Sequence, residues 1–303
     1  MKYLSSKRAY AVLSILALLL VLPVGYTSAS GQKPAEKKNF LWRVKSKKNT
    51  VYILGSIHAL KKEVYPLNEH IEKAFEDSQK LVVEVELNDK AISEVQKYVL
   101  AKGVYTDGKT LQQSVSAETY ELFKKKTADL GMNEQTLGPL KPWMIALTLF
   151  SLKTVKTGAS PQDGIDFYFM QKAKEKNKPI IGLETVEFQM SRFADLSAED
   201  QEKYLLSTLK SLDSLDSYLT TIVNHWLSGD LTKMESFITE SFQQDPVLYN
   251  LLLKERNLNW IPKIEQYLQE EGNYMVVVGA AHLVGKDGVL ELLKKRGYSI
   301  EQL

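Results

Sequence analysis

The sequence predicts an α+β protein with α/β-like order: a central mixed sheet flanked by helices, with a helical cap region. Three observations lead there. Short apolar runs of strand length alternate with longer stretches of helical periodicity, the pattern of a sheet covered by helices. The first two runs are separated by the polar stretch Lys45-Ser46-Lys47-Lys48-Asn49, which reads as a hairpin turn and so as an antiparallel pair. Residues 197–270 read as helix broken only at Gly229 and near Pro246, too long for a simple crossover between strands.

Taken in order, residues 40–44 and 50–54 form the hairpin, and the second run ends in Gly55-Ser56-Ile57-His58. Residues 68–77 repeat apolar positions at helical spacing, with Ile71, Ala74 and Phe75 on one face. Residues 81–87, LVVEVEL, read as a strand. Helices follow at 89–101 and 116–130, the latter closed by Gly131 at the C′ position. Residues 141–153 open with Pro142 in the favoured first turn of a helix. Residues 164–176 are helical, and 179–183 read as a short buried strand. Ser197 is the expected N-cap of the long helical region. Residues 274–278 form the next strand and lead into Gly279-Ala280-Ala281-His282. A helix at 288–296, stopped by Gly297, and a last strand at 298–303 complete the chain.

The N-terminus carries Lys2, Lys7 and Arg8, then an apolar run over 9–24, then the small residues Thr27 to Gly31. This is the order of a secretory signal peptide, with cleavage expected after Ala29. The alternative is an uncleaved anchor, against which stand the run's shortness and Pro23. The expected organisation is a signal peptide or anchor over 1–29, a disordered leader over 30–39, and one domain over 40–303 with a helical insertion at about 197–270. The expected location is periplasmic or extracellular, with membrane contact only through an uncleaved N-terminus.

Composition narrows the chemistry. Among 303 residues, 39 basic side chains nearly balance 37 acidic ones, so nothing favours nucleic acid as a partner. The absence of cysteine removes disulfides, thiolate metal sites and cysteine nucleophiles. Any metal must be held by histidine, carboxylate or backbone oxygen.

Two segments match each other: VYILGSIH and MVVVGAAH, each an apolar strand followed by Gly-x-x-His. Glycine lets the chain leave the strand tightly, and ligand sites in α/β sheets lie beyond the carboxyl ends of strands. Two of only four histidines, His58 and His282, occupy these equivalent settings; neutral imidazoles there can bind a divalent ion or act as base and acid. Glu84 and Glu86 interrupt an apolar strand on one face, where a buried carboxylate is costly unless paired or metal-bound. In a crowded anionic site such an acid resists ionisation. Glu184 follows the apolar run PIIGL. Asp163 and Asp166 flank a helix start, where acids also simply favour the dipole. Arg256, in KERNLNW, suits an anionic substrate or a carboxylate pair. His70 and His225 lie in mixed helical stretches and read as structural. Residues 103–110, GVYTDGKT, fit the phosphate-loop pattern but lack the preceding buried strand that such a loop needs.

Taken together, LWRV, YILGSIHAL, LVVEVEL, KPWMIAL, DGIDFYFMQKAKEKNKPIIGLETVEFQ, ERN and VVVGAAHLVGKDGVLELLKKRGY resemble the TraB/PrgY/gumN family, which includes the animal Tiki proteins. The resemblance implies a fold similar to the erythromycin esterase and ChaN-like proteins, and a metal-dependent hydrolytic site. The family's motif histidines fall on His58 and His282, its acidic-strand glutamate on Glu84, its L-E-T glutamate on Glu184, its G-x-D acid on Asp166 and its R-N arginine on Arg256. Glu86 stands where family strands often carry aspartate.

The resulting expectation is an exported hydrolase acting on a peptide or small molecule. A divalent ion (Mn, Co or Zn) would be held by His58, His282, Glu84 and Glu184, with a glutamate as general base and Arg256 steadying negative charge. Two rivals remain open: a protein that sequesters a peptide signal or haem without turnover, and metal-free hydrolysis by histidine and glutamate.

Overall fold

The computed structural model describes residues 38–303. The signal peptide expected over 1–29 and most of the leader expected over 30–39 lie outside the described residues. The chain divides into two compact units. One comprises Leu87–Pro161 and Thr185–Asp216; the other comprises 38–86, Gln162–Glu184 and Ser217–Leu303.

The second unit holds a six-stranded mixed sheet in the order β4-β3-β5-β2-β1-β6. Its strands are β1 (Leu41–Lys45), β2 (Thr50–Ser56), β3 (Lys80–Val83), β4 (Ile180–Gly182), β5 (Tyr274–Gly279) and β6 (Ile300–Gln302). The expected hairpin is present: β1 and β2 pair antiparallel, Leu41 opposite Leu54. β2, β5, β3 and β4 are mutually parallel neighbours, so four strands end along the same edge of the sheet. β5 is buried along its whole length, as a near-continuous apolar run covered on both faces must be. β4 was expected to be buried but forms the sheet's margin and is half-exposed.

The helices form where their caps and faces dictate. Asn68 caps the Glu69–Asp77 helix by accepting from the His70 N–H, and Ile71, Ala74 and Phe75 are its buried face. The Phe75 ring lies 5.1 Å from that of Phe169 on the Ile165–Glu175 helix. Tyr168 and Lys172 of that helix reach Glu72.

The first unit is helical apart from one isolated bridge, Val104 with Leu140, among its described residues. The Pro142–Lys156 helix buries Trp143, Ile145, Leu147, Leu149 and Phe150; its first turns, Pro142–Leu147, are apolar and buried on every side, as an interior helix is. Ser197 acts as the expected N-cap and Ser116 caps the Ala117–Asp129 helix, and Gly131 takes the left-handed conformation at φ +69°. The GVYTDGKT stretch follows helical turns over Val99–Gly103 and enters the four-residue Leu111–Ser114 helix; the strand a phosphate loop requires does not precede it.

Candidate active site

Everything the sequence singled out as matched or acidic at a strand end gathers at the carboxyl edge of the parallel strands. β2 and β5 are neighbours, with Ser56 opposite Gly279, so the two Gly-x-x-His motifs lie side by side. His58 follows β2, and His282 sits in the short helical turn Ala280–Leu283 after β5. Glu84 follows β3 and Glu184 lies just beyond β4. The expected strand over 81–87 stops at Val83, so Glu84 and Glu86 do not share a strand face; Glu84 is buried and Glu86 half-exposed.

The glycines do a different job from the one expected. Gly279 has φ −50°, which any residue can adopt, so a tight exit from the strand does not require it. A Cβ there would stand 2.8 Å from His58 Nε2 and 3.3 Å from Glu84 Oε1. Glycine is needed for close approach, and its bare N–H donates to Glu84 Oε1 at 2.8 Å.

Arg256 holds the centre together. It comes from the Glu255–Tyr267 helix, directly after a wider turn over Asn250–Lys254, and is 1% exposed. All five of its N–H groups are engaged. Nε donates to both Glu184 oxygens at 3.0 and 3.2 Å. One terminal nitrogen donates to Leu252 O at 3.1 Å and to His282 Nε2 at 3.0 Å. The other donates to Glu84 Oε2 and, at 2.6 Å, to Glu184 Oε1. The expected role of Arg256 on a substrate is therefore corrected: no N–H remains for one. It is a positioning residue that neutralises a carboxylate pair.

The network fixes the histidine protons. Asn257 spends its amide N–H groups on the carbonyls of His282 and Asp287, so its oxygen accepts from His282 Nδ1 at 2.7 Å. His282 is then protonated on Nδ1 and offers the Nε2 lone pair to Arg256. Burial first, then the Arg256 charge, push its pKa well below the usual imidazole range; it is neutral. The Trp260 ring packs on it at 4.4 Å and the Trp260 N–H donates to Glu184 Oε2 at 3.0 Å.

His58 is the opposite case. Its Nδ1 lies 2.9 Å from Asp166 Oδ1, and its Nε2 faces Glu84 Oε1 at 3.6 Å. The Ile165 N–H donates to Ile57 O at 3.1 Å, which seats the helix start against the motif and delivers Asp166. Burial, the largest influence on His58, lowers its pKa, but the Asp166 charge and hydrogen bond and then the Glu84 charge raise it to about 9. At neutral pH His58 is an imidazolium between two carboxylates.

Glu84 was expected to resist ionisation in an anionic crowd; the surroundings reverse that. Burial pushes its pKa up, but Arg256, His282, His58 and the Gly279 N–H together hold it well below the carboxylate range. It is charged and a weak base. Glu184 is pushed up by burial against the pull of Arg256, with both oxygens occupied by Arg256 and Trp260.

As arranged, these residues do not fit a divalent ion. Glu84 Oε1 stands 3.6 Å from His58 Nε2 and 3.7 Å from His282 Nε2, near the roughly 3.4 Å edge between ligands about 2.1 Å from a tetrahedral ion. Yet the His282 lone pair, Glu84 Oε2 and both Glu184 oxygens already accept from a guanidinium. Among the described residues no group of three or more histidine, aspartate or glutamate side chains is arranged to hold a metal.

Asp163, half-exposed, contributes its carbonyl to the Tyr65 hydroxyl at 2.8 Å. His70 and His225 stand apart from the centre, His70 exposed and His225 against Phe237. Two surface cavities, of about 510 Å³ beside His70 and Asp77 and about 230 Å³ beside Phe40 and Trp226, draw no wall from the centre. Asn257 and Trp260 escaped the sequence reading; the only local signal was their place beside Arg256 in ERNLNW.

Comparison with known proteins identifies the family. The TraB/PrgY/gumN family profile matches residues 40–302. The chain is 26% identical over 246 residues to YbaP of Escherichia coli, an uncharacterized protein, covering 80% of this chain and 87% of YbaP. An uncharacterized protein of Treponema pallidum is 22% identical over 310 residues, covering 96% of this chain and 92% of its own. The metalloprotease TIKI2 of Danio rerio is 24% identical over 326 aligned residues, covering 89% of this chain and 62% of TIKI2. No solved structure matches the chain.

Proposed function

Because the chain belongs to the TraB/PrgY/gumN family, we propose that it is a hydrolase of carbonyl substrates, peptide bonds foremost, acting by acid–base chemistry at the His58–Asp166 pair. The observation that carries this reading is His58: buried at the sheet's carboxyl edge, oriented by a carboxylate on Nδ1, with Nε2 facing the centre and a pKa near 9. Orientation of a histidine by a carboxylate is the arrangement of general acid–base enzymes.

In its neutral form His58 Nε2 takes a proton from water as the water oxygen bonds to the substrate carbonyl carbon. It returns that proton to the leaving nitrogen as the carbon–nitrogen bond breaks. Asp166 holds the ring and favours the imidazolium that forms between the two transfers. Glu84, fixed by Arg256 and Gly279, stabilises the same cation from the Nε2 side. A peptide and ester library, assayed with wild type, His58→Gln and chelator-treated protein, tests the reading; cleavage that survives His58→Gln refutes it.

A second reading is metal-dependent hydrolysis. It is favoured by the name of the TIKI relative and by the two imidazoles, each anchored through Nδ1 with Nε2 turned inward, as metal ligands are. It requires Arg256 to leave His282, and it predicts loss of cleavage on chelation with recovery on adding Mn, Co or Zn.

Export completes the proposal. The n-region, apolar run and small residues before Gly31 direct the chain outside the cytoplasm. N-terminal sequencing of exported material should begin near Ser30; recovery of uncleaved protein in the cytosol alone would remove this part.

A further inference from the structure

We infer that the cavity of about 230 Å³ beside Phe40 and Trp226 is a binding site for a small neutral aromatic ligand carrying one hydroxyl or N–H group. Its floor is buried and apolar. Phe40 comes from the chain before β1, Leu67 and Ile71 from the start of the Glu69–Asp77 helix and its approach, and Trp226 from the Leu215–Ser228 helix. Among the described residues none with an ionisable side chain lines it, so nothing there compensates the lost hydration of a charged ligand. The rim adds the amides of Asn39 and Asn68. Asn68 spends its oxygen on the His70 N–H at 2.9 Å, and Asn39 turns its amide nitrogen to Leu303 O at 3.4 Å. What the two have left to offer is a donor and an acceptor, the partners of a phenol hydroxyl or an indole N–H. Flat rings pack on phenyl and indole walls. An apolar cavity of about 150 Å³ already takes up benzene, so this one has room for a ring and its substituent.

The site adjoins the first Gly-x-x-His motif without entering the centre. The Trp226 indole N–H donates to Gly55 O at 2.6 Å in a buried contact. The Phe40 ring lies so close to Gly55 that a Cβ there would collide with it, and Phe40 O accepts the Gly55 N–H at 3.0 Å. Both side chains that hold Gly55 are therefore walls of the cavity, and an occupant bears on the stretch that ends in His58. The same chemistry can arrive as a free phenol or indole or as a tyrosine or tryptophan side chain of a peptide. The inference does not depend on the chain being a hydrolase.

The test is an NMR titration of the protein with p-cresol, indole, benzoate and benzylamine. p-Cresol and indole should bind as one equivalent with a dissociation constant below about 1 mM, the range open to a ligand of about eight heavy atoms. The Trp226 indole N–H resonance, assigned with Trp226→Phe, should move; that of Trp260, which donates to Glu184, should not. Benzoate and benzylamine should bind at least ~10-fold more weakly. Leu227 lines the rim and is 40% exposed, and Val64 beside it is half-exposed, so both tolerate change. Leu227→Glu sets a charge at the mouth and Val64→Phe fills the space, and each should weaken p-cresol by at least ~10-fold. N-acetyltyrosinamide separates the two sources: binding as tight as that of p-cresol assigns the site to a peptide side chain, and binding of the free rings alone assigns it to a small molecule, the inference standing in either case. No saturation at millimolar p-cresol or indole, equal binding of benzoate, or binding that leaves the Trp226 N–H unmoved overturns it. So does self-association of the chain that Leu227→Glu abolishes, since a second copy then fills the cavity. None of these readouts is cleavage, so failure here and failure of the hydrolase reading are distinguishable.

Discussion

Replacing Asp166 by asparagine tests the electrostatics of the centre without any substrate. Asp166 accepts from His58 Nδ1 at 2.9 Å, and its charge and hydrogen bond are the main reasons His58 titrates near 9 rather than 6.5 despite burial. At 1.36 kcal/mol per unit, that displacement corresponds to roughly 3 kcal/mol of preference for the protonated ring. In Asp166→Asn the amide keeps the shape but supplies no charge. Burial and the Arg256 charge then act on His58 with only Glu84 opposing them, so its midpoint should fall to the ordinary imidazole range or below. The sign for stability follows from a raised folded-state pKa. The contribution is fully present below about 6.5 and is lost as pH rises through about 9. The stability gap between wild type and Asp166→Asn should therefore shrink by on the order of 3 kcal/mol between pH 6 and pH 10. The assay is direct: the chain has four histidines, so their ring C–H resonances can be followed against pH and His58 assigned with His58→Gln. Urea titrations at several pH values give the gap. A wild-type His58 that titrates near 6.5, with a gap that does not depend on pH, would refute the reasoning.

Other outcomes follow from the same contacts. Arg256→Met should lower stability by about 3–5 kcal/mol, the cost of removing one partner from a buried charge network, read by urea denaturation at neutral pH. Gly279→Ala should cost about 1–3 kcal/mol through overpacking and displace the His58 resonances, because its Cβ would stand 2.8 Å from Nε2; unchanged shifts would show that the space is not limiting. Glu84→Gln should destabilise most above pH 5 and progressively less in acid, since a carboxylate held below its usual range contributes only while ionised; melts at pH 7 and pH 3 decide. For catalysis, kcat/KM should climb with pH toward a limb near 9, and His58→Gln should remove at least ~100-fold of it; a limb near 6.5 would point to another base.

Much of the frame was legible because it is written locally. The turn at 45–49, the Ser197 cap and the apolar runs ending in Gly-x-x-His all follow from spacing and residue type. The site residues at strand ends were legible for the same reason. What was not legible is pairwise and distant. Asp166 looked like a helix-start acid, and only the fold brings it to His58, 108 positions earlier. Arg256 reads as suited to an anionic substrate or a carboxylate pair, and only the fold selects the pair and engages all five of its donors. Glu84 sits past the strand's end because the registered pairing of β3 ends at Val83, opposite Gly182 and Val277, an end that LVVEVEL does not record.

The position of β5 has a consequence for how the chain comes into being. It lies between β2 and β3, yet β3 ends 191 residues and β2 218 residues before it begins (274 − 83 and 274 − 56). Until Tyr274–Gly279 leaves the ribosome, β2 and β3 each present an unpaired edge where their common neighbour belongs, the kind of edge that recruits other chains. Contacts of such long sequence separation form late and slowly. The nascent protein is thus two half-sheets waiting for a keystone, and the same strand that closes the gap carries in His282. Assembly of the sheet and assembly of the centre are one event, so a chain interrupted before that strand has neither.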